Sequence, residues 1–307
     1  DRLFPALSGF ARSLEKEGGT LEAAAVHVIR YELALLHCDP RSGLESARCA
    51  GRAFRKAARW DEALRWYGLA RRLAEFEGDF LELVRVLDGI GNTHRERGSF
   101  PKARSYYRDA WKMAQVVRDP DEMANVALGL MTVEREAGNL DAAASHGWTA
   151  LCLQTDPAAR ANLLLNLGTL LREGGDLDGA QRAYQLSART ATTHDLRTMA
   201  LDALAYCSAL AGDAAAYAER RPRARGVAPY VRAQIGYFRG AALQALGDVR
   251  AARVLMAVER YARTHGLAEW EIKAVQLRES PMPATIRIVR TPAVVTRGLR
   301  ELESALT

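Results

Sequence analysis

GNTHRERGSFPKARSYYRDA, residues 91–110, decides the fold because it recurs. It superposes without a gap on GRAFRKAARWDEALRWYGLA at 51–70 and on GTLLREGGDLDGAQRAYQLS at 168–187. In each copy a glycine (Gly51, Gly91, Gly168) lies inside an apolar helical pattern, and an alanine follows twelve residues later (Ala63, Ala103, Ala180). A tyrosine comes four residues after the alanine (Tyr67, Tyr107, Tyr184), and another small residue seven after it (Ala70, Ala110, Ser187). A glycine inside a helix costs about 1 kcal/mol relative to alanine, so its recurrence needs a packing reason. The spacing predicts two antiparallel helices that cross closely at the small residues, with the tyrosine filling the space beside the crossing.

Working outward, the same frame continues more weakly as Ala11 with Ala23, Met131 with Ala143, Ala205 with Tyr217 and Gly240 with Ala252. The markers Ala23, Ala63, Ala103, Ala143, Ala180, Tyr217 and Ala252 are spaced 40, 40, 40, 37, 37 and 35 residues apart, which predicts seven helical hairpins. Turn signals stand between the two helices of most hairpins: Gly18-Gly19, Gly98-Ser99, Gly138-Asn139, Gly174-Gly175, Gly212-Asp213 and Gly247-Asp248. Glycine accepts the left-handed conformation at a helix C-terminus, and the Asp, Asn or Ser after it can cap the next helix. Asp119-Pro120 and Asp156-Pro157 mark joins between hairpins, with proline in a first helical turn.

These columns resemble the tetratricopeptide repeat family, in its long-repeat bacterial form, over roughly residues 4 to 264. The resemblance implies an all-α fold, a right-handed superhelical solenoid of antiparallel helical hairpins. Gly147 stands where an aromatic is expected, and the unit around Ala205, Tyr217 and Arg221 is degenerate. That unit leads into ERRPRARGVAPY (219–230), an arginine- and proline-rich loop that reads as a bend or joint. The array is expected to occupy residues 1–266, followed by a capping helix over 267–280 and a tail over 281–307. Within that tail, TIRIVR (285–290) alternates like a strand and VVTRGLRELESAL (294–306) reads as a terminal helix. The tail either packs back on the array or is the stub of a further domain, and the start at Asp1 suggests that an upstream leader or domain is missing.

The composition agrees with helices, since aromatics make up 7% and alanine, leucine, arginine and glutamate dominate. A net charge of +6 draws acidic partners without indicating nucleic acid. Cys38, Cys49, Cys152 and Cys207 lack CxxC spacing and read as small apolar fillers in a cytoplasmic protein. No apolar run is long enough to span a bilayer. The six histidines are dispersed, and no HExxH, phosphate-binding loop or GxSxG occurs. No enzyme and no cofactor is therefore expected.

In the geometry implied by the resemblance, the first helix of each hairpin lines the concave surface. Residues one and four beyond the small central position then point into it: Arg52 and Arg55, Asn92 and Arg95, Thr132 and Arg135, Thr169 and Arg172. Six before that position come Arg85, Asn125 and Asn162, and three before it come Arg48, Asp88, Leu128 and Leu165. Four units would thus present arginine at one level. One reading makes Arg48, Arg52, Arg55, Asn92, Arg95, Asn125, Arg135, Asn162 and Arg172 a partner-binding groove. There, amides bond a peptide backbone and guanidinium forks take its acidic groups. The other notes that three of the four arginines precede a glutamate (Glu96, Glu136, Glu173), the pattern of a solvated, self-neutralising face. The expected function is a protein- or peptide-binding scaffold. The alternative is a ligand-sensing module of a bacterial transcriptional or signalling regulator.

Overall fold

A computed structural model describes residues 3–16, 19–265, 267–279 and 291–306, and every regular element among them is an α-helix. The chain divides into two compact units, Asp1–Asn139 and Leu140–Thr307. The stretch 285–290, read from sequence as a strand, lies outside the described residues, as does Gly18 of the first turn signal.

The first unit contains α1 (Leu3–Lys16), α2 (Thr20–Leu36), α3 (Pro40–Lys56), α4 (Trp60–Glu77), α5 (Phe80–Glu96), α6 (Phe100–Val117) and α7 (Pro120–Glu136). Each helix packs on the next, and α5 also touches α3 and α7, so these three form one layer. The recurring glycines explain how the layers come close. Tyr67 of α4 lies between Gly51 of its own hairpin and Gly89 of the following one: a methyl group added at either glycine would lie 2.9 or 2.5 Å from the ring. Tyr107 of α6 repeats the arrangement between Gly91 and Gly129, at 2.8 and 2.5 Å. Both rings are buried, so each tyrosine wedges two hairpins together and not merely the two helices of its own.

Turns repeat with the same period. Gly98 and Gly138 are left-handed within hairpins, and Ala58 takes that conformation (φ 56°) where the α3–α4 hairpin has no glycine. Joins between hairpins use Cys38, Gly78 and Arg118, also left-handed, followed by Asp39, Asp79 and Asp119, whose carboxylates cap α3, α5 and α7. Ser99, expected to cap, makes no side-chain bond to α6.

The second unit contains α8 (Leu140–Leu153), α9 (Pro157–Glu173), α10 (Leu177–Thr190), α11 (His194–Leu210), α12 (Ala214–Arg220), α13 (Pro229–Ala245), α14 (Ala251–Thr264), α15 (Ala268–Glu279) and α16 (Ala293–Leu306). Helices α9, α11, α13 and α15 form a layer in which neighbours touch. Tyr184 of α10 again packs over a glycine, Gly168. α15 buries Trp270, Ala274 and Leu277. The arginine- and proline-rich loop is tied down. Arg239 donates to the carbonyl of Pro222, the His194 ring bonds that of Arg225, and Val227 is buried with Val231 and Ile235.

α16 folds back onto α8 and α10. Val295 and Leu299 are fully buried there, Arg182 pairs with Glu303 at 2.5 Å, and the Thr291 hydroxyl donates to Asp176 at 2.6 Å. Gly298 lies directly over the Trp148 ring, leaving no room for a methyl group. Gly147 thus stands at the repeat's aromatic position, and its neighbour Trp148 lies on the face that receives α16.

Candidate partner-binding face

Within the first unit, the layer α3, α5 and α7 carries two lines of alternating charge, each linking one hairpin to the next. Along one line, Arg48 pairs with Glu82 at 2.5 Å, Glu82 with Arg85 at 2.7 Å, and Arg85 with Glu122 at 2.5 Å. Along the other, Arg55 pairs with Glu96, Glu96 with Arg95 at 3.3 Å, and Arg95 with Glu136 at 2.8 Å. Arg52 reaches Glu15 of α1 at 3.3 Å, and Lys56 reaches the same carboxylate at 2.6 Å. Every predicted arginine from Arg48 to Arg95 therefore already faces a carboxylate, and most of these partners lie in a neighbouring hairpin. Against the opposing effect of burial, Arg48 is held above the usual guanidinium range by Cys49 and Glu82, Arg55 by Tyr67 and Glu96, Arg85 by Glu82 and Glu122, and Arg95 by Glu136, Tyr107 and Glu96.

Between the two lines sits Asp88, accepting from the Asn92 amide at 2.9 Å. Protein encloses the half-buried carboxyl, and that desolvation pushes it up to about 7; Glu122 adds to the rise, while Arg55, Asn92 and Arg95 oppose it. The Tyr107 hydroxyl nearby is buried and has no hydrogen-bond partner among the described residues. Asn125 is exposed on α7 and bonds Glu122 only weakly, at 3.4 Å, and Arg135 is half-buried. The structure thus brings Arg48, Arg52, Arg55, Asn92, Arg95, Asn125 and Arg135 onto neighbouring helices of one layer. Sequence reading missed that Glu82 and Glu122 cross-link it. Their repeat spacing of 40 was the available signal.

In the second unit, Asn162 is exposed on α9, but Arg172 departs from the pattern set by Arg55 and Arg95. It is 9% exposed, and its Nε donates to the Tyr184 hydroxyl at 3.4 Å. Its guanidinium lies 5.0 Å from the Tyr206 ring centre and 5.6 Å from that of Phe238, and the Glu173 carboxylate is 3.9 Å away. The expectation that Arg172 matches the other arginines is corrected: aromatic side chains from α11 and α13 bury it through cation–π contact. Leu165, expected in the groove, belongs to the core. Asp202 on α11, beside Arg239 at 3.5 Å, is pushed by burial up to about 7.

Among the described residues no cluster could hold a metal ion and no helix is long and apolar enough to cross a membrane. All four cysteines are free, with Cys49 and Cys207 buried and Cys38 and Cys152 exposed.

Residues 44–115 match the family model of the tetratricopeptide repeat, and they are repeats of that kind. No curated protein matches the chain in sequence. Among solved structures, BtubC (BKLC) from P. vanneervenii is similar over 62% of this chain and 80% of its own, with 21% identity and a TM-score of 0.53. PilF of Pseudomonas aeruginosa aligns over 71% of this chain and 88% of its own at 17% identity and a TM-score of 0.48. The TPR2AB domain of yeast Sti1, solved in complex with pHSP90, aligns over 76% of this chain and 99% of its own, at 18% identity and a TM-score of 0.33. The fold is an all-α helical repeat of tetratricopeptide type.

Proposed function

We propose that the chain is a protein- or peptide-binding scaffold, acting by recognition and not by catalysis, and that the polar face of α3, α5 and α7 receives the partner. The carrying observation is the pair of charge lines from Arg48 to Glu122 and from Arg55 to Glu136. Half-buried guanidiniums held in place by carboxylates present fixed donors at repeat spacing, and little side-chain freedom is lost on binding. The same pairing revises the partner's chemistry. A purely acidic segment would have to displace Glu96 and Glu136 from Arg95, whereas a segment carrying both charges exchanges one ion pair for another.

The test is capture of partners from lysate by the full chain and by a variant carrying Arg95→Gln and Arg135→Gln. The variant should retain its helical circular dichroism and lose the proteins that the parent captures, and raising salt from 50 to 300 mM should weaken the parent's capture on the order of tenfold or more. Capture of the same proteins at the same level by both chains rejects this face as the binding site.

A further inference from the structure

The sixth hairpin breaks the repeat, and the break opens a cleft. α12 has 7 residues, where α10 and α14 each have 14. Tyr217 stands in the column that other hairpins fill with alanine, and Arg221 stands where Tyr67, Tyr107 and Tyr184 stand in theirs. Between α12 and the α13–α14 turn lies a cleft of ≈ 570 Å³, with Arg221, Arg250, Arg253 and Asp248 among its lining residues. Leu243, Leu246 and Val254 supply apolar surface.

Several observations give this cleft a chemistry. Arg250 and Asp248 engage each other through bonds of 2.6 to 3.1 Å. Arg221 and Arg253 make no ion pair among the described residues, so the lining holds three guanidiniums against one carboxylate. Tyr217 also lines the cleft. It is 5% exposed, and its hydroxyl has no hydrogen-bond partner among the described residues, although buried hydroxyls are normally paired. Burial holds that phenol above its ordinary pKa, so it remains a donor. At the start of α14 the Asp248 carboxylate also accepts from the Arg250 backbone N–H at 2.8 Å, which fixes the turn beside the cleft.

We propose that this cleft binds a phosphate group, as the free ion or as a small phosphate monoester. The excess of two positive charges matches a dianion, where a single carboxylate would leave half of it uncompensated. Guanidinium forks at Arg221 and Arg253 and the Tyr217 hydroxyl suit several phosphate oxygens at once. The departures from the repeat at Tyr217 and Arg221 are then what build the site. It is formed by α12, the C-terminal end of α13 and the start of α14.

Calorimetric titration of the full 307-residue chain with sodium phosphate, phenyl phosphate and sodium acetate at matched ionic strength tests the proposal. Phosphate should bind saturably at one site and acetate should not. Arg221→Gln with Arg253→Gln should weaken phosphate at least about tenfold, and Tyr217→Phe should weaken it severalfold. The two arginines are exposed, so the double variant decides even if Tyr217→Phe fails to fold. Tighter binding of phenyl phosphate identifies a monoester whose body rests on Leu243, Leu246 and Val254, while equal binding identifies the free ion. Absence of saturable phosphate binding, or binding unchanged in the arginine variant, overturns the proposal.

Discussion

Asp88 couples stability to pH. Its carboxyl is pushed up to about 7 in the folded chain, above the ordinary aspartate value, so its contribution is fully present below the unfolded pKa and is lost as pH rises through about 7. Asp88→Asn keeps a carbonyl to accept from Asn92 and removes the titration. Thermal melts should show the variant gaining on the parent as pH rises from about 4 to about 7, with a gain larger at pH 8 than at pH 5 by about 1–3 kcal/mol. A gain of equal size at both pH values would show that the carboxyl stays ionised throughout. Glycine offers a second contrast. Gly89→Ala drives a methyl group against Tyr67, and overpacking of about 1–3 kcal/mol outweighs the helix-propensity gain of up to about 1 kcal/mol. Gly68→Ala meets nothing within 4 Å and should stabilise. Urea unfolding of the two variants should move in opposite directions.

At the scale of the element, α16 is an amphipathic helix whose apolar side is met by α8 and α10. Leu299→Asp places a charge at a fully buried position, which costs far more than the Arg182–Glu303 pair returns. Hydrogen exchange over 293–306 should rise to the rate of an unprotected helix, while peptides from α3 to α7 keep their protection. Unchanged protection over 293–306 would mean that Leu299 does not anchor this helix. α16 itself was readable from its apolar spacing, but its docking place was not. Nothing in the local pattern singles out Trp148, and the structure places Gly298 over it.

Across the whole molecule, the hairpins were legible because their signals are local: a glycine, an alanine and a tyrosine at fixed separations within one helix pair. The second glycine under each tyrosine, Gly89 or Gly129, belongs to the following hairpin and so lies outside those local columns. The candidate face was half legible for the same reason. Arg55, Arg95 and their following glutamates were visible as neighbours, yet Arg55 pairs with Glu96 across 41 residues of sequence, and Arg95 with Glu136 across the same interval. Arg172 followed the sequence pattern, but Tyr206 and Phe238 changed its surroundings from polar to aromatic.

The 40-residue spacing of Tyr67 and Tyr107, of Glu82 and Glu122, and of Glu96 and Glu136 makes the first unit modular in a strict arithmetic sense. Removing residues 60–99 would excise one helix pair and set Arg48 opposite Glu122, Arg55 opposite Glu136, and Tyr107 over Gly51, each in the role that its homologous residue now fills. Gain or loss of a 40-residue block therefore rewrites the length of the array while keeping these bonds from one hairpin to the next, which act as interchangeable couplings.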